Sequence, residues 1–349
     1  MCCIVARILI ADDSNVIRTR VASWIAHEHD LELVGQAENG ARCVDLFQRL
    51  KPDVIILDVE MPELDGIETL RQIRAIDATV PVIMFSALTE LGSRTTVASM
   101  LAGATDHVAK PASFRVEDET RRLLIARVRS LVRQRVFVSL TSSSTSVIEH
   151  HETQIPEAPE IIVVAASTGG PPALREFLTA VGRIEVPIVV VQHIPAHFLG
   201  LLVEQLATML AADVAIGIDG EALTAGSVRF APSGTHIEVR SREGRMLLGY
   251  SDLPPVNSCK PSADILFASA AMTARRPIAV ILSGMGSDGL VGAGTIVANG
   301  GGVYAQDRRS SAVWGMPGSV VDQGLARLVG PPDRIGARIR LLSQRAVKV

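Results

Sequence analysis

Short runs of valine, isoleucine, leucine and alanine recur along this chain, and each is cut off by a polar residue or glycine before a segment of helical spacing begins. Runs of this length that are apolar at nearly every position suit strands buried on both faces. Their alternation with helices calls for parallel strands joined by right-handed crossovers. The first such set is "RILIADD" (7–13), "ELVGQAE" (32–38), "DVIILD" (53–58), "VPVIMFSA" (80–87) and "DHVAK" (106–110). Between and after these strands, Ile17, Val21, Trp24 and Ile25 share one helix face, as do Cys43, Phe47 and Leu50, and then Leu124, Val128 and Leu131.

A second set begins at "EIIVVAAS" and continues with "VPIVVVQHI" (186–194), "RPIAVILSG" (276–284) and "GGVYAQD" (301–307). Helical patterns fall at "PPALREFLTAV", "HFLGLLVEQLATML", "SADILFASAAMT" and "LVGAGTIVANG". Between 214 and 250 the helical period stops, and "SVRFAPSGTHIEVRSREGRMLLGY" reads as hairpins. The expected fold is α/β, with two doubly wound parallel-sheet domains, the second carrying a β-hairpin insertion. A length of 349 residues also suits two domains. Serine, threonine, proline and charge replace the apolar period over 139–159, so the domains are drawn as 1–135 and 160–349 with a linker at 136–159. His150 and His151 in that linker fall short of a usual zinc ligand set.

Hydrophobic residues make up 48% of the chain and charged residues 20%, enough for two packed cores. A net charge of -3 does not point to a nucleic-acid partner. Cys2, Cys3, Cys43 and Cys259 show no spacing of a disulfide framework or a zinc knuckle, and read as reduced thiols. No uncharged apolar run is long enough to span a membrane, and the N-terminus lacks the charged start and cleavage site of a signal peptide. A cytoplasmic protein, not inserted in a membrane, is the expectation.

Functional groups in α/β sheets gather beyond the carboxyl ends of the strands. In the first domain those ends carry Asp12 and Asp13, Asp58, Ser86 and Lys110, the last followed by Pro111. Three converging carboxylates suit a hard dication such as Mg²⁺. A carboxylate there can attack phosphorus, a lysine can balance the new charge, and a small hydroxyl can bond a phosphoryl oxygen. The plainer alternative is that these aspartates cap helices and turns. "LIADDS", "DVIILDVEMPELDGIETL", "VIMFSA" and "DHVAKP" resemble response-regulator receiver domains over about residues 5–135. The resemblance implies a flavodoxin-like fold with Asp58 as phosphoacceptor. It places Asp13, Asp58 and the backbone carbonyl of Glu60 on Mg²⁺, Asp12 in support, Ser86 as switch hydroxyl and Lys110 on the phosphate. Receivers often have threonine at the Ser86 position and an aromatic where this chain has His107.

In the second domain, "IIVVAASTGGPP" (161–172) delivers Ser167 from a strand to a glycine turn just before a helix whose first turn accepts Pro171 or Pro172. Unpaired backbone N–H groups at such a helix start favour developing negative charge. A serine hydroxyl needs a base. The next strand ends in His193, and the loop after a later strand carries Asp288, so parallel neighbours would bring all three to one edge. Spacing leaves Ser167 equally open to a capping role, because Ala165 stands where a G-x-S-x-G elbow has glycine. "GMGSDG" (284–289) also fits a dinucleotide fingerprint, with Asp307 near the distance of the acidic partner but beside two arginines.

"AASTGGPPAL", "VVVQHIPAHF", "FAPSGTHIEV", "CKPSADILFASAA", "ILSGMGSDGLVGA" and "WGMPGSVV" resemble the catalytic domain of chemotaxis protein-glutamate methylesterases over about 160–345. The resemblance implies Ser167 as nucleophile, His193 as base and Asp288 as its orienting partner. The Met285 N–H would help hold the oxyanion, with Thr168 beside the nucleophile. It further implies hydrolysis of glutamate γ-methyl esters on methylated chemoreceptors, glutamine deamidation at such sites, a histidine kinase as phosphodonor, and no cofactor for the esterase. The remaining alternatives are a phosphorylation-dependent binding module and a dinucleotide-binding regulator, both without esterase activity.

Overall fold

The apolar runs of the first half become β1 (Ala6–Ala11), β2 (Leu31–Ala37), β3 (Val54–Leu57), β4 (Val82–Ser86) and β5 (Asp106–Ala109). They alternate with α1 (Asn15–Ala26), α2 (Gly40–Leu50), α3 (Gly66–Ile76), α4 (Glu90–Leu101) and α5 (Glu117–Leu140). The structure is a computed structural model that describes residues 5–87, 90–111, 117–140 and 158–344, without the side chains of 90–93 and 134–140. Cys2, Cys3, His150, His151 and most of the expected linker lie outside the described residues. The chain divides into two units, Met1–Ser143 and Ser144–Val349.

In the first unit the strand order is β2-β1-β3-β4-β5, all parallel, which is the flavodoxin-like order. On one face Leu9, Ile55, Leu57, Val82 and Met84 pack with Cys43, Phe47, Leu70 and Ile73. The helices begin on side-chain caps: Asn39 Oδ1 accepts the Arg42 N–H at 2.8 Å, and Asp65 Oδ1 accepts the Glu68 N–H at 2.8 Å. Val21, Trp24 and Ile25 are buried as expected, whereas Ile17 and Leu50 are half-buried at the margins of their faces.

The second unit contains β6 (Ile162–Ala166), α6 (Gly170–Val181), β7 (Ile188–Gln192), α7 (Ala196–Leu210), β8 (Val214–Ile216), β9 (Val228–Phe230), β10 (His236–Arg242) and β11 (Arg245–Ser251). These are followed by α8 (Ala263–Thr273), β12 (Ile278–Ile281), α9 (Leu290–Ala298), β13 (Gly302–Gln306), α10 (Met316–Asp322), β14 (Leu328–Gly330) and α11 (Pro332–Gln344). Seven strands form one parallel sheet in the order β14-β13-β12-β6-β7-β9-β8. Val163, Ala165, Val189, Val191, Ala279 and Ile281 of its centre share a core with Phe267 and Leu266 of α8 and Ile296 of α9.

The segment 214–250 differs from the all-hairpin expectation. Only β10 and β11 form an antiparallel hairpin. The "VRF" of β9 pairs in parallel with both β7 and β8 inside the main sheet. Three residues are too few to display a period, so the long-range partner decides their pairing. Among the described residues no helix is long and apolar enough to cross a membrane.

Candidate active site

The strand order puts β6 between β12 and β7, so the three strands that lead to Ser167, Asp288 and His193 are immediate neighbours. Chain direction reverses its march across the sheet at β6, which is where α/β sheets open a crevice beyond their carboxyl ends. Ala166 of β6 pairs with Gln192 of β7, so Ser167 and His193 are the next residues along two adjacent strands. The backbones are tied there: the His193 N–H donates to the Ala166 carbonyl at 2.9 Å, and the Ser167 N–H donates to the Ser283 carbonyl at 3.0 Å.

Ser167 is half-buried and does not cap α6. Gly169 is the N-cap, in the left-handed region at φ 73° and without a side-chain capping bond, and prolines occupy the first turn. A Cβ on Gly169 would come within 2.5 Å of Ala312 Cβ. One on Gly170 would collide with the Gln192 amide oxygen. The paired glycines therefore let the turn close directly under the serine, and the capping alternative for Ser167 falls away.

Asp288 is buried, and its orientation is over-determined. Ser262 Oγ donates to Oδ1 at 2.6 Å, the Ala263 N–H to Oδ2 at 2.7 Å, and the Asp264 N–H to Oδ1 at 3.3 Å. These donors are the N-terminus of α8, capped by Ser262, so unpaired amides and the helix dipole both favour the ionised carboxylate. Burial works against the charge, but His193, Ser262 and Ala263 outweigh it and hold the Asp288 carboxyl below its ordinary range. Ser262 is itself fixed by a buried histidine. Its N–H donates to His236 Nδ1 at 3.1 Å, which makes Nε2 the protonated nitrogen that faces the Pro254 carbonyl at 3.1 Å.

His193 Nε2 stands 2.9 Å from Asp288 Oδ2. The approach is oblique: at ion-pair distance, Nε2 is removed from solvent without an aligned hydrogen bond. Burial alone would lower the imidazole's pKa, but the neighbouring Asp288 and Cys259 overcome it and raise it to about 9. Ligand atoms of His193, Cys259 and Asp288 all lie within 4.8 Å of one another.

The other expected residues sit on the same crevice. The Thr168 carbonyl accepts from Ser283 Oγ at 2.8 Å. Met285 is exposed, in the β12–α9 loop between Gly284 and the left-handed Gly286 at φ 83°. The Gly284 carbonyl accepts the N–H groups of Gly315 and Met316 at 3.1 and 2.9 Å, which closes the "GMGSDG" loop against α10.

In the first unit the sheet edge gathers Asp12, Asp13 and Asp58, with carboxylate oxygens within 4.8 Å of one another. Lys110 Nζ lies 2.7 Å from both Asp12 Oδ2 and Asp58 Oδ2. Burial pushes the Asp58 carboxyl up to about 6 against the pull of Lys110. It also raises Asp12. Burial would lower Lys110, but the two carboxylates hold it above its ordinary value. The helix-capping alternative does not hold here either. Ser14 caps α1, while Asp12 Oδ1 accepts the Ser14 N–H at 2.9 Å. Ser86 is buried, its Oγ 2.8 Å from Thr96 Oγ1 and 3.3 Å from His107 Nε2. Glu60 is exposed in the loop after β3.

Four residues around Ser167, His193 and Asp288 carry structural weight that their place in the sequence does not announce. Gln192 Nε2 donates to the carbonyls of both Ser167 and His193 at 3.1 Å each, clamping the ends of β6 and β7 together. Ser262 and His236 orient Asp288, and Cys259 brings its sulfur within 4.8 Å of the His193 imidazole. Only Ser262 had a signal, as a serine ahead of an acidic residue and an apolar run, the mark of a helix start.

Comparison with known proteins gives the family of each unit. The family model for CheB methylesterase matches residues 162–339, and that for the response regulator receiver domain matches 8–120. A protein of Nocardioides sp. named protein-glutamate methylesterase/protein-glutamine glutaminase is 40% identical over 352 residues, 97% of this chain and 96% of that one. A protein of Rhodopseudomonas palustris with the same name, of its group 2 operon, is 36% identical over 95% of this chain and 93% of its own. The crystal structure of the Thermotoga maritima CheB methylesterase catalytic domain matches with a TM-score of 0.51 at 33% identity, covering 53% of this chain and 99% of that one. The chain belongs to the CheB methylesterase family and carries a response regulator receiver domain ahead of its methylesterase domain.

Proposed function

We propose that this chain hydrolyses glutamate γ-methyl esters on the cytoplasmic domains of chemoreceptors, and deamidates glutamine at such sites, with Ser167, His193 and Asp288 as its catalytic triad. The observation that carries this reading is the 2.9 Å His193–Asp288 contact, anchored by the N-terminus of α8, beside a serine at the matching position of the adjoining strand. Nε2 faces the carboxylate, which leaves Nδ1 as the nitrogen that takes the Ser167 proton. Ser167 Oγ then attacks the ester carbonyl. The oxyanion forms near the Met285 N–H and the start of α6, where one backbone donor is worth about 10²–10³ in rate. Methanol departs with the proton returned by His193, and water hydrolyses the acyl-serine through the same base. An amide follows the same route and loses ammonia.

We further propose that phosphorylation of Asp58 by a histidine kinase controls this activity. The all-carboxylate cluster of Asp12, Asp13 and Asp58, with the Glu60 carbonyl in the adjoining loop, fits a hard dication of the Mg²⁺ type. Such an ion, when bound, neutralises charge on the transferring phosphoryl group. Asp58 accepts that group, Lys110 contacts its oxygens from its position between Asp12 and Asp58, and the Ser86 hydroxyl turns from Thr96 and His107 to bond it. Release of methanol from methylated receptor membranes, with and without a phosphodonor, tests both proposals. Release that ignores the phosphodonor removes the second, and no release removes the first.

A further inference from the structure

Cys259 takes no step in the acyl transfer described above, yet its thiol belongs to the innermost ring of that site. His193 follows β7, Cys259 precedes α8 and Asp288 lies beyond β12, so three separate loops bring one nitrogen, one sulfur and one oxygen within 4.8 Å of one another. Imidazole with thiolate and carboxylate is a donor set for Zn²⁺, whereas Mg²⁺ and Ca²⁺ take oxygen. Zinc–ligand distances of about 2.0–2.3 Å put tetrahedral neighbours about 3.3–3.8 Å apart. A small adjustment is needed: the edges to sulfur, no longer than 4.8 Å, must close, while the 2.9 Å edge between His193 and Asp288 must open by a few tenths of an ångström. Cys259 is half-buried, and its thiol makes a long 3.6 Å contact with the Asn257 carbonyl, so a side-chain rotation can close the edges to sulfur.

Two further observations point the same way. His193 Nε2 is buried and meets Asp288 out of hydrogen-bond alignment. Asp288 already has the supporting donors that metal-binding carboxylates use, from Ser262 and Ala263 at 2.6 and 2.7 Å. The other converging cluster among the described residues, Asp12 with Asp13 and Asp58, is all oxygen. The two clusters therefore differ in donor chemistry, oxygen alone in the first unit and nitrogen, sulfur and oxygen in the second.

We infer that His193, Cys259 and Asp288 form a zinc site at the esterase centre, and that the ion arrests hydrolysis by occupying the imidazole and the carboxylate that orients it. The thiol proton, and any proton on the imidazole, pass to solvent as the metal binds, and nothing is oxidised or reduced. Three protein ligands leave the fourth position to water. The site stands on geometry alone; its effect on hydrolysis rests on the proposed esterase activity.

The test titrates the reduced full-length chain with Co²⁺ and then Zn²⁺ in excess Mg²⁺, following the thiolate-to-cobalt absorption band and methanol release. The band should saturate at one equivalent and vanish as zinc displaces cobalt. Methanol release should fall about tenfold or more in step with zinc and recover on chelation. Cys259→Ser and Cys259→Ala should lose the band and bind zinc at least about 10–100-fold more weakly, the loss that removing a mere supporting partner of a metal ligand already causes. A Cys2→Ser/Cys3→Ser variant should keep the band. Absence of the band in the parent chain overturns the site, as does its survival in either Cys259 variant. Equal zinc inhibition of the parent and of Cys259→Ser overturns the arrest. A cobalt band in a chain that releases no methanol upholds the site and removes the esterase reading instead.

Discussion

Ser167 and His193 are successors to a paired couple, Ala166 and Gln192, on adjacent parallel strands, and the side-chain amide of Gln192 donates to the backbone carbonyl of each. Their separation is thus set by sheet spacing, about 4.8 Å between neighbouring strands, rather than by loop conformation.

Ser167→Ala should lower methanol release by about 10⁴-fold or more, the scale on which a hydrolase responds to loss of its nucleophile. Because Gly169 and not Ser167 caps α6, stability should change by no more than about 0.5 kcal/mol. Activity measurement and thermal unfolding of one variant read both. A stability loss with chemistry intact contradicts the nucleophile assignment.

The pH dependence follows from the His193–Asp288 pair. A base must be neutral, so with the imidazole raised to about 9 methanol release should climb with pH toward 9 in chelator-treated buffer. The raised histidine stabilises the fold fully below about 6.5, and this contribution is lost as pH rises through about 9. Asp288, held low, contributes above about 3.8 and loses its contribution as pH falls through its folded value. Asp288→Asn should move the activity rise to lower pH and cut the rate by about 10⁴-fold. A pH–rate profile unchanged in Asp288→Asn removes Asp288 from the mechanism.

Ser262→Ala deletes both the cap of α8 and the 2.6 Å bond to Asp288. The cost in stability should be about 0.5–2 kcal/mol, with kcat reduced and KM little changed. Denaturant melts and steady-state kinetics check the two halves separately.

Gly169→Ala places a methyl against Ala312 and Ser283 at a left-handed position. Ser283 Oγ holds the Thr168 carbonyl, so the displaced contact reaches the neighbour of the nucleophile. A destabilisation of about 1–3 kcal/mol is expected together with a fall in kcat. An active variant of unchanged stability would show that the turn relaxes freely.

Mg²⁺ at about 100 times its dissociation constant should stabilise the receiver unit by about 2.7 kcal/mol. Differential scanning calorimetry should show this gain in the parent chain and its loss in Asp13→Ala. Asp58→Asn should abolish stimulation of methanol release by a phosphodonor, and persistence of that stimulation would place phosphorylation elsewhere.

Much of this was legible in residue order, because a strand that ends in a chemical group delivers it to one known edge of a parallel sheet. Asp12, Asp58 and Lys110 meet at the edge that rule names, as do His193 and Asp288, with Ser167 following the strand position that pairs with the one before His193. What stayed hidden depends on long-range packing. Nothing near "VRF" (228–230) reveals that β7 and β8 take it into the main sheet. His236 looks like any strand histidine until Ser262 arrives against it from beyond the hairpin. Cys259 lies in a loop without period, and only the fold brings it to the imidazole. The serine's alternative as a helix cap was decided by the φ of Gly169, a quantity spacing does not carry.

The order β12-β6-β7 has one last consequence, for the birth of the molecule. The strand bearing the serine is made first, its histidine-bearing neighbour soon after, and the strand leading to the aspartate only after the whole β8–β11 region and α8. A chain still on the ribosome short of β12 holds a hydroxyl and an imidazole with no carboxylate to steer them. On the proposed assignment of Ser167, His193 and Asp288, synthesis itself withholds the complete triad until residue 288 has been made.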